Sequence, residues 1–467
     1  MQALIGPLQE LAEFEAIQKE KQKEAGVLQI SGCVNSQKTH MMYALGDGCK
    51  YRVIACSSES KARQVYEEYH MLDSETYFYP AKDFLFYQAD IRSKELQESR
   101  MTVVQAILEE KPLTVVVSFD AFMDALPVKG AMKDRVIRIE NGQTLDFDEI
   151  RKALTENGYD REEQVDGPGQ FAIRGGILDI YPLTGELPVR IELWGDEVDS
   201  IRSFDTDSQR SVQNLDEAVI YPADELPGRP VKRVSFLEYF PPEDTLVFLD
   251  EPARLVEKGE AVEQEFVEAQ AKRVESGYEV SDDEMELYET AEIVKRMNTY
   301  YCIGLSALDT HGNGFRFRNK FSINTKSVNP YNNSFETLTR DLKRLKRNDY
   351  RVILLSGSRT RAKRLAEDLR DYNLSSYYSE EQDREVQPGE IMTAYGHVAE
   401  GYEYPMLKFT VISETDIFGK VRKKRKRKKY EGRKIRDFTE LKVGDYVVHE
   451  NHGVGIYQGI EKIESDK

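Results

Sequence analysis

Short apolar runs separated by helix-length stretches constrain this chain more than any other feature. VLQIS at 27–31, YRVIAC at 51–56, TYFYP at 76–80 and LTVVVS at 113–118 are too short for helices. The intervening spacing predicts helices over about 37–46, 60–72 and 94–110. Strands buried on both faces, each followed by a covering helix, are the repeating unit of a parallel sheet. The same texture returns after about residue 223. DTLVFLDE at 244–251 is followed by predicted helices at roughly 252–275 and 283–298. A further unit holds FETLTRDLKRLK, the strand RVILLSG at 351–357, a helix at 358–371 and LKFTVIS at 407–413.

Between 135 and 222 the texture differs. GPG at 167–169, GG at 175–176, TGE at 184–186 and GD at 195–196 punctuate alternating strands of five or six residues. FDEIRKALTEN at 147–157 predicts one helix with Asp146 as its N-cap. The expected organisation is a multidomain α/β chain. Residues 1–127 and 215–330 form a split α/β domain and 128–214 an inserted α+β module. Residues 331–419 form a further α/β domain, 420–436 a basic linker and 437–467 the start of an all-β module. LKVGDYVVHENHGVGIYQGIEKIE at 441–464 is glycine-punctuated β, too short for a stable β domain alone, so the chain reads as part of a longer protein.

Charge narrows the range of partners. The 467 residues carry −18 in total. Residues 420–434 hold 11 basic and one acidic side chain, or +10, which leaves −18 − 10 = −28 on the rest. So acidic a surface repels phosphate backbones. Weak DNA contact is therefore confined to 420–434, where Tyr430 is the one aromatic able to stack a base; a self-repelling tether is the other reading of that strip. No run of about 18 apolar residues spans a bilayer, and the first 26 residues lack a signal peptide's apolar block. Cysteines at 33, 49, 56 and 302 show neither metal spacing nor disulfide density, which suits a reducing, cytoplasmic setting. His449 and His452 read as structural, with no metal site proposed. Tyr77, Tyr79, Tyr87, Tyr300 and Tyr301 read as core or rim. Asp282, Asp283 and Glu284 read as a solvated helix start.

Two constellations carry chemistry. Gly32 to Thr39, GCVNSQKT, follows a strand and opens a helix with the spacing of a phosphate loop, in which amides cradle phosphate, lysine neutralises it and Ser/Thr holds magnesium. The glycine expected before the lysine is Gln37, and a side chain there crowds the site. Asp250-Glu251 after VFL resembles the acidic strand end that orders magnesium and water. Gly32, Lys38, Thr39, Asp250 and Glu251 are therefore expected to be a nucleotide site that no longer works, with no catalytic residue assigned. A nucleotide-dependent nucleic-acid enzyme using this loop is the alternative.

The second constellation is VRIELW at 189–194. Val189, Ile191 and Leu193 lie on one face, and Arg190, Glu192 and Trp194 on the other. Gly195-Asp196 supplies a hairpin turn, and FAIR at 171–174 places Arg174 in a strand able to neighbour it. Arg and Trp dominate binding hot spots. An Arg–Trp stack internal to the module, worth about 1 kcal/mol or less, is the plainer reading.

At 170–212, QFAIRGGILDIYPLTGELPVRIELWGDEVDSIRSFDTDSQRSV resembles the inserted module shared by the excision-repair helicase UvrB and the transcription-repair coupling factors. The 441–464 stretch resembles the start of the coupling factors' RNA-polymerase-interacting domain, which UvrB lacks. The resemblance follows nearly the whole chain in order. It implies a degenerate UvrB-like domain carrying a UvrA-binding insert, then an SH3/Tudor-like polymerase-binding module that needs to be complete to bind. In that family ATP, magnesium and DNA are handled by motor lobes C-terminal to this stretch, so no cofactor is expected here. The family's UvrA contacts carry over as Arg174, Arg190 and Trp194, and Ile463 matches an apolar polymerase contact. The expected role is non-catalytic docking that recruits UvrA to RNA polymerase stalled at DNA lesions.

Overall fold

Seven strands lie side by side in the order Phe317–Ser322, Gly26–Ser31, Tyr301–Ser306, Thr245–Asp250, Tyr51–Cys56, Leu113–Ser118 and Thr76–Tyr79. Every neighbouring pair is parallel. This is the sheet of the computed structural model, which describes residues 2–21, 25–82, 94–225, 232–275, 287–381, 384–419, 446–449 and 453–456. Three of the seven strands follow the insert in sequence, and two of those sit in mid-sheet, so the domain closes only when the chain returns. Leu113–Ser118 and Thr245–Asp250 are buried at every residue, as the unbroken apolar runs require. Helices form where the predicted spacing falls. Glu59–His70 starts at Ser58, whose hydroxyl accepts from Lys61 N, and buries Ala62, Val65 and Tyr69.

The inserted sheet has the order Ser211–Leu215, Glu197–Phe204, Val189–Trp194, Ile177–Tyr181, Gln170–Arg174 and Asp160–Arg161. All its pairs are antiparallel except the last. Phe147–Glu156 is helical, and the Asp146 carboxylate accepts from the amides of Asp148 and Glu149 as its N-cap. Glu217–Ile220 pairs back onto Ile137–Glu140, so the module's strand pairing runs beyond residue 214. A third, mixed sheet has the order Lys326–Ser327, Tyr402–Tyr404, Phe409–Ser413, Arg351–Ser356, Ile391–Tyr395 and Tyr377–Tyr378.

Alternation along the first sheet's strands divides the core. Val53, Val115 and Val247 point to one side, where Phe171, Leu178 and Ile191 of the insert join the same cluster. Ile54, Val116 and Phe248 point to the other, where they share a cluster with Leu355, Tyr402 and Phe409 of the third sheet. Each such side chain contributes about 1.5–3 kcal/mol on burial. Residues 1–420 form one compact unit and 421–467 another. The second unit contains the antiparallel pair Tyr446–His449 and Gly453–Ile456. The basic strip 420–434, Tyr87, Asp282, Asp283, Glu284, His452 and Ile463 lie outside the described residues. Tyr79 is buried, with its ring stacked 3.7 Å from that of Phe236.

Candidate functional site

The loop after Gly26–Ser31 turns through Gly32, whose φ of +81° only glycine adopts easily. A Cβ there would sit 1.9 Å from the Ile323 carbonyl oxygen, so neighbouring backbone fills the space beside the loop. Three of the loop amides are taken by the protein itself. Gly32 N donates to Ala307 O at 3.3 Å and Cys33 N to Ser306 O at 3.1 Å. Val34 N donates to Gln37 Oε1 at 3.2 Å, so the residue replacing the expected glycine folds back as a cap on its own helix, Asn35–Leu45.

Gln37 also reaches outward. Its Nε2 donates to the Tyr404 hydroxyl of the third sheet at 2.9 Å. That hydroxyl lies 3.0 Å from His40 Nδ1, and His40 Nε2 lies 2.9 Å from Leu4 O. A carbonyl only accepts, so Nε2 carries the proton and Nδ1 accepts from Tyr404. Burial pushes the His40 pKa down to about 4 and keeps the ring neutral.

The structure brings Lys38, Asp250 and Glu251 together. Lys38 Nζ lies 2.7 Å from Asp250 Oδ1 and 2.5 Å from Glu251 Oε1. Burial works to lower the Lys38 pKa, but the two carboxylates outweigh it and hold the pKa above its ordinary value. Thr39 is held elsewhere. Its hydroxyl donates to Glu68 Oε2 at 2.8 Å, and Ser36 donates to Glu68 Oε1 at 2.7 Å. Glu68 also accepts from Ala399 N at 3.0 Å. Lys38, Thr39 and the amides of Gly32, Cys33 and Val34 are thus bonded to protein. Sequence reasoning missed Glu68, His40 and Tyr404. Only Glu68 left a signal, an acid on the apolar face of Glu59–His70.

The hairpin surface forms on the inserted sheet. Gly175, at φ +60°, turns Gln170–Arg174 into Ile177–Tyr181, and Gly195, at φ +68°, turns Val189–Trp194 into Glu197–Phe204. Val189 and Ile191 are buried as their face predicts. A register shift between Glu192 and Leu193 precedes the turn, and Trp194 stands 85% exposed beside it. Arg190 Nε and Nη2 donate to the two Asp179 oxygens at 2.7 and 2.9 Å, and Arg174 Nη2 donates to Oδ2 at 2.8 Å. Arg190 also donates to Gln209 Oε1 at 2.8 Å and lies 4.3 Å over the Phe204 ring. The outward polar row is there, but its members are unevenly open. The Arg174 side chain is 45% exposed and that of Arg190 only 12%. Glu192 is paired with Arg202 across the hairpin. Asp179, 1% exposed at the centre of the row, escaped the sequence reading, although an acid inside ILDIY between two arginine-bearing strands was its signal.

Among known sequences, residues 137–226 match the UvrB interaction domain. By sequence, then, the insert is of the class through which UvrB-type proteins interact. Residues 441–467 match the CarD-like/TRCF RID domain. Relatives similar to nearly the whole chain are transcription-repair-coupling factors. That of Bacillus subtilis (strain 168) is 30% identical across 84% of this chain and 38% of the relative. Those of Staphylococcus haemolyticus and Staphylococcus aureus (strain Mu50) are 27% and 26% identical over the same shares. The resemblance read from 170–212 and 441–464 is thereby borne out. The chain spans 38% of the length of these relatives.

Proposed function

We propose that this chain is a docking region of a transcription-repair coupling factor. Its insert takes hold of UvrA, and the module beginning near 441 contributes to binding RNA polymerase. The observation that carries the first part is Trp194, the chain's one tryptophan, standing 85% exposed at a hairpin tip of the sheet that also carries Arg174. A large exposed aromatic and a half-exposed guanidinium on one sheet supply contact area and directional donors. In a calorimetric titration with UvrA, Trp194→Ala and Arg174→Ala should each weaken binding about thirtyfold, or roughly 2 kcal/mol. Unchanged affinity in both variants would refute the docking surface.

In this reading the Gly32–Thr39 loop is structural, and ATP hydrolysis and DNA translocation belong to other parts of the whole protein. The support is that Lys38, Thr39 and three loop amides are already satisfied by protein groups. Titration with a fluorescent ATP analogue tests it. Saturable, magnesium-dependent binding that Lys38→Ala abolishes would restore the enzyme reading.

A further inference from the structure

The insert's outer face also holds a buried carboxylate. Asp179 sits in Ile177–Tyr181, whose residues Leu178 and Ile180 point into the core. Asp179 therefore points to the docking face, where a lone acid would ordinarily be solvated. Here it is 1% exposed. Cross-strand register explains what covers it. Arg190 lies directly opposite on one neighbouring strand, and Arg174 lies two residues along from Asp179's partner Ala172 on the other. The two guanidiniums close over the carboxylate from both sides and take both of its oxygens.

The stoichiometry matters more than the burial. One carboxylate holds two permanent cations, so the cluster keeps a net charge of +1 facing outward. Arg190 is gripped through two N–H groups, and Gln209 and the Phe204 ring fix it further. Arg174 is held by a single Nη2 bond and stays 45% exposed. Neither Nε nor Nη1 of Arg174 is bonded among the described residues. Planar forks held at one edge present the other in a fixed direction, and that lowers the entropy lost on docking.

We infer that Asp179 is the positioning residue of the docking surface, aiming Arg174 and Arg190 at an acidic patch on the partner next to an apolar slot for Trp194. The inference rests on the UvrA-docking reading. Asp179 does not itself touch the partner; it acts through the two arginines. Without it, two flexible cations on the strands either side of Asp179 would lose the anion that holds them and with it their common direction.

The test is a mutant cycle read by titration of the full chain with UvrA. Asp179→Asn is nearly isosteric but gives up the charge and turns one acceptor into a donor facing two guanidiniums. It should weaken binding tenfold or more. Far-UV circular dichroism and the emission of the single Trp194 should stay as in the parent. In an Arg174→Ala/Arg190→Ala background the same substitution should change affinity less than twofold, because its effect passes through those side chains. A loss that persists undiminished in that background means a merely structural role and overturns the inference. So does parental affinity of Asp179→Asn while Trp194→Ala binds poorly, and that outcome leaves the docking reading standing. Parental affinity of Trp194→Ala and Arg174→Ala instead sinks the docking reading itself. Should Asp179→Asn fail to fold, Asp179→Glu serves. It keeps the charge and pushes both forks outward by one methylene, and is expected to bind at least fivefold more weakly at unchanged melting temperature. Parental affinity there overturns the inference too.

Discussion

Replacing Lys38 with methionine separates a structural loop from a working phosphate loop. The stem of the side chain is kept and the ammonium removed, leaving Asp250 and Glu251 side by side, the former buried. Deleting one partner of a buried ion pair costs about 3–5 kcal/mol. The expected loss at pH 7 is therefore about 3–5 kcal/mol in a urea-unfolding series followed by circular dichroism. Adding Asp250→Asn to Lys38→Met should restore much of the stability. In a working phosphate loop the lysine waits for an anion, and its loss weakens nucleotide binding while leaving the fold untouched. A Lys38→Met variant within about 1 kcal/mol of the parent would refute this reasoning.

Three further outcomes are expected. His40 takes a proton at about 4 when folded and near 6.5 when unfolded, so the unfolded chain binds the extra proton between those values. Its contribution is complete above pH 6.5 and fades as pH falls toward 4, by about 3 kcal/mol in all, and a denaturation series on His40→Gln should lack that part of the slope. Arg100→Met should cost about 3–5 kcal/mol by urea unfolding, because buried Asp124 and Glu225 both pair with that guanidinium at 2.8 Å. Burial raises the Glu225 pKa, yet Arg100 and Lys82 outweigh it and hold it near 2. Gly32→Ala should lose more than the roughly 1–2 kcal/mol of left-handed backbone alone, given the Ile323 carbonyl in its way, and its melting temperature should fall accordingly.

What was legible in the sequence was local. Unbroken apolar runs such as LTVVVS announced central parallel strands, because nothing polar survives between two covered faces. Asp146 announced a helix start, and the alternation of VRIELW assigned its faces correctly. Phe317–Ser322 went unread, since FRNKFS joins the sheet at an edge, where half-exposed residues satisfy no periodic rule. Tyr404 was out of reach for another reason. It meets Gln37 across 367 positions of sequence, and only the packing of two sheets on one core brings them together. Alternation likewise told which way Arg190 faces, and could not tell that Phe204 and Gln209 would lie against it.

The glutamine amide and tyrosine hydroxyl that meet between the first and third sheets have a mechanical consequence. In paired-lobe motors that cleft breathes with every nucleotide exchanged. Here Gln37, Tyr404 and His40 weld it shut, with Glu68 bonding to the Ala399 amide alongside. Opening this seam would have to break those bonds together with the shared apolar cluster of the two sheets.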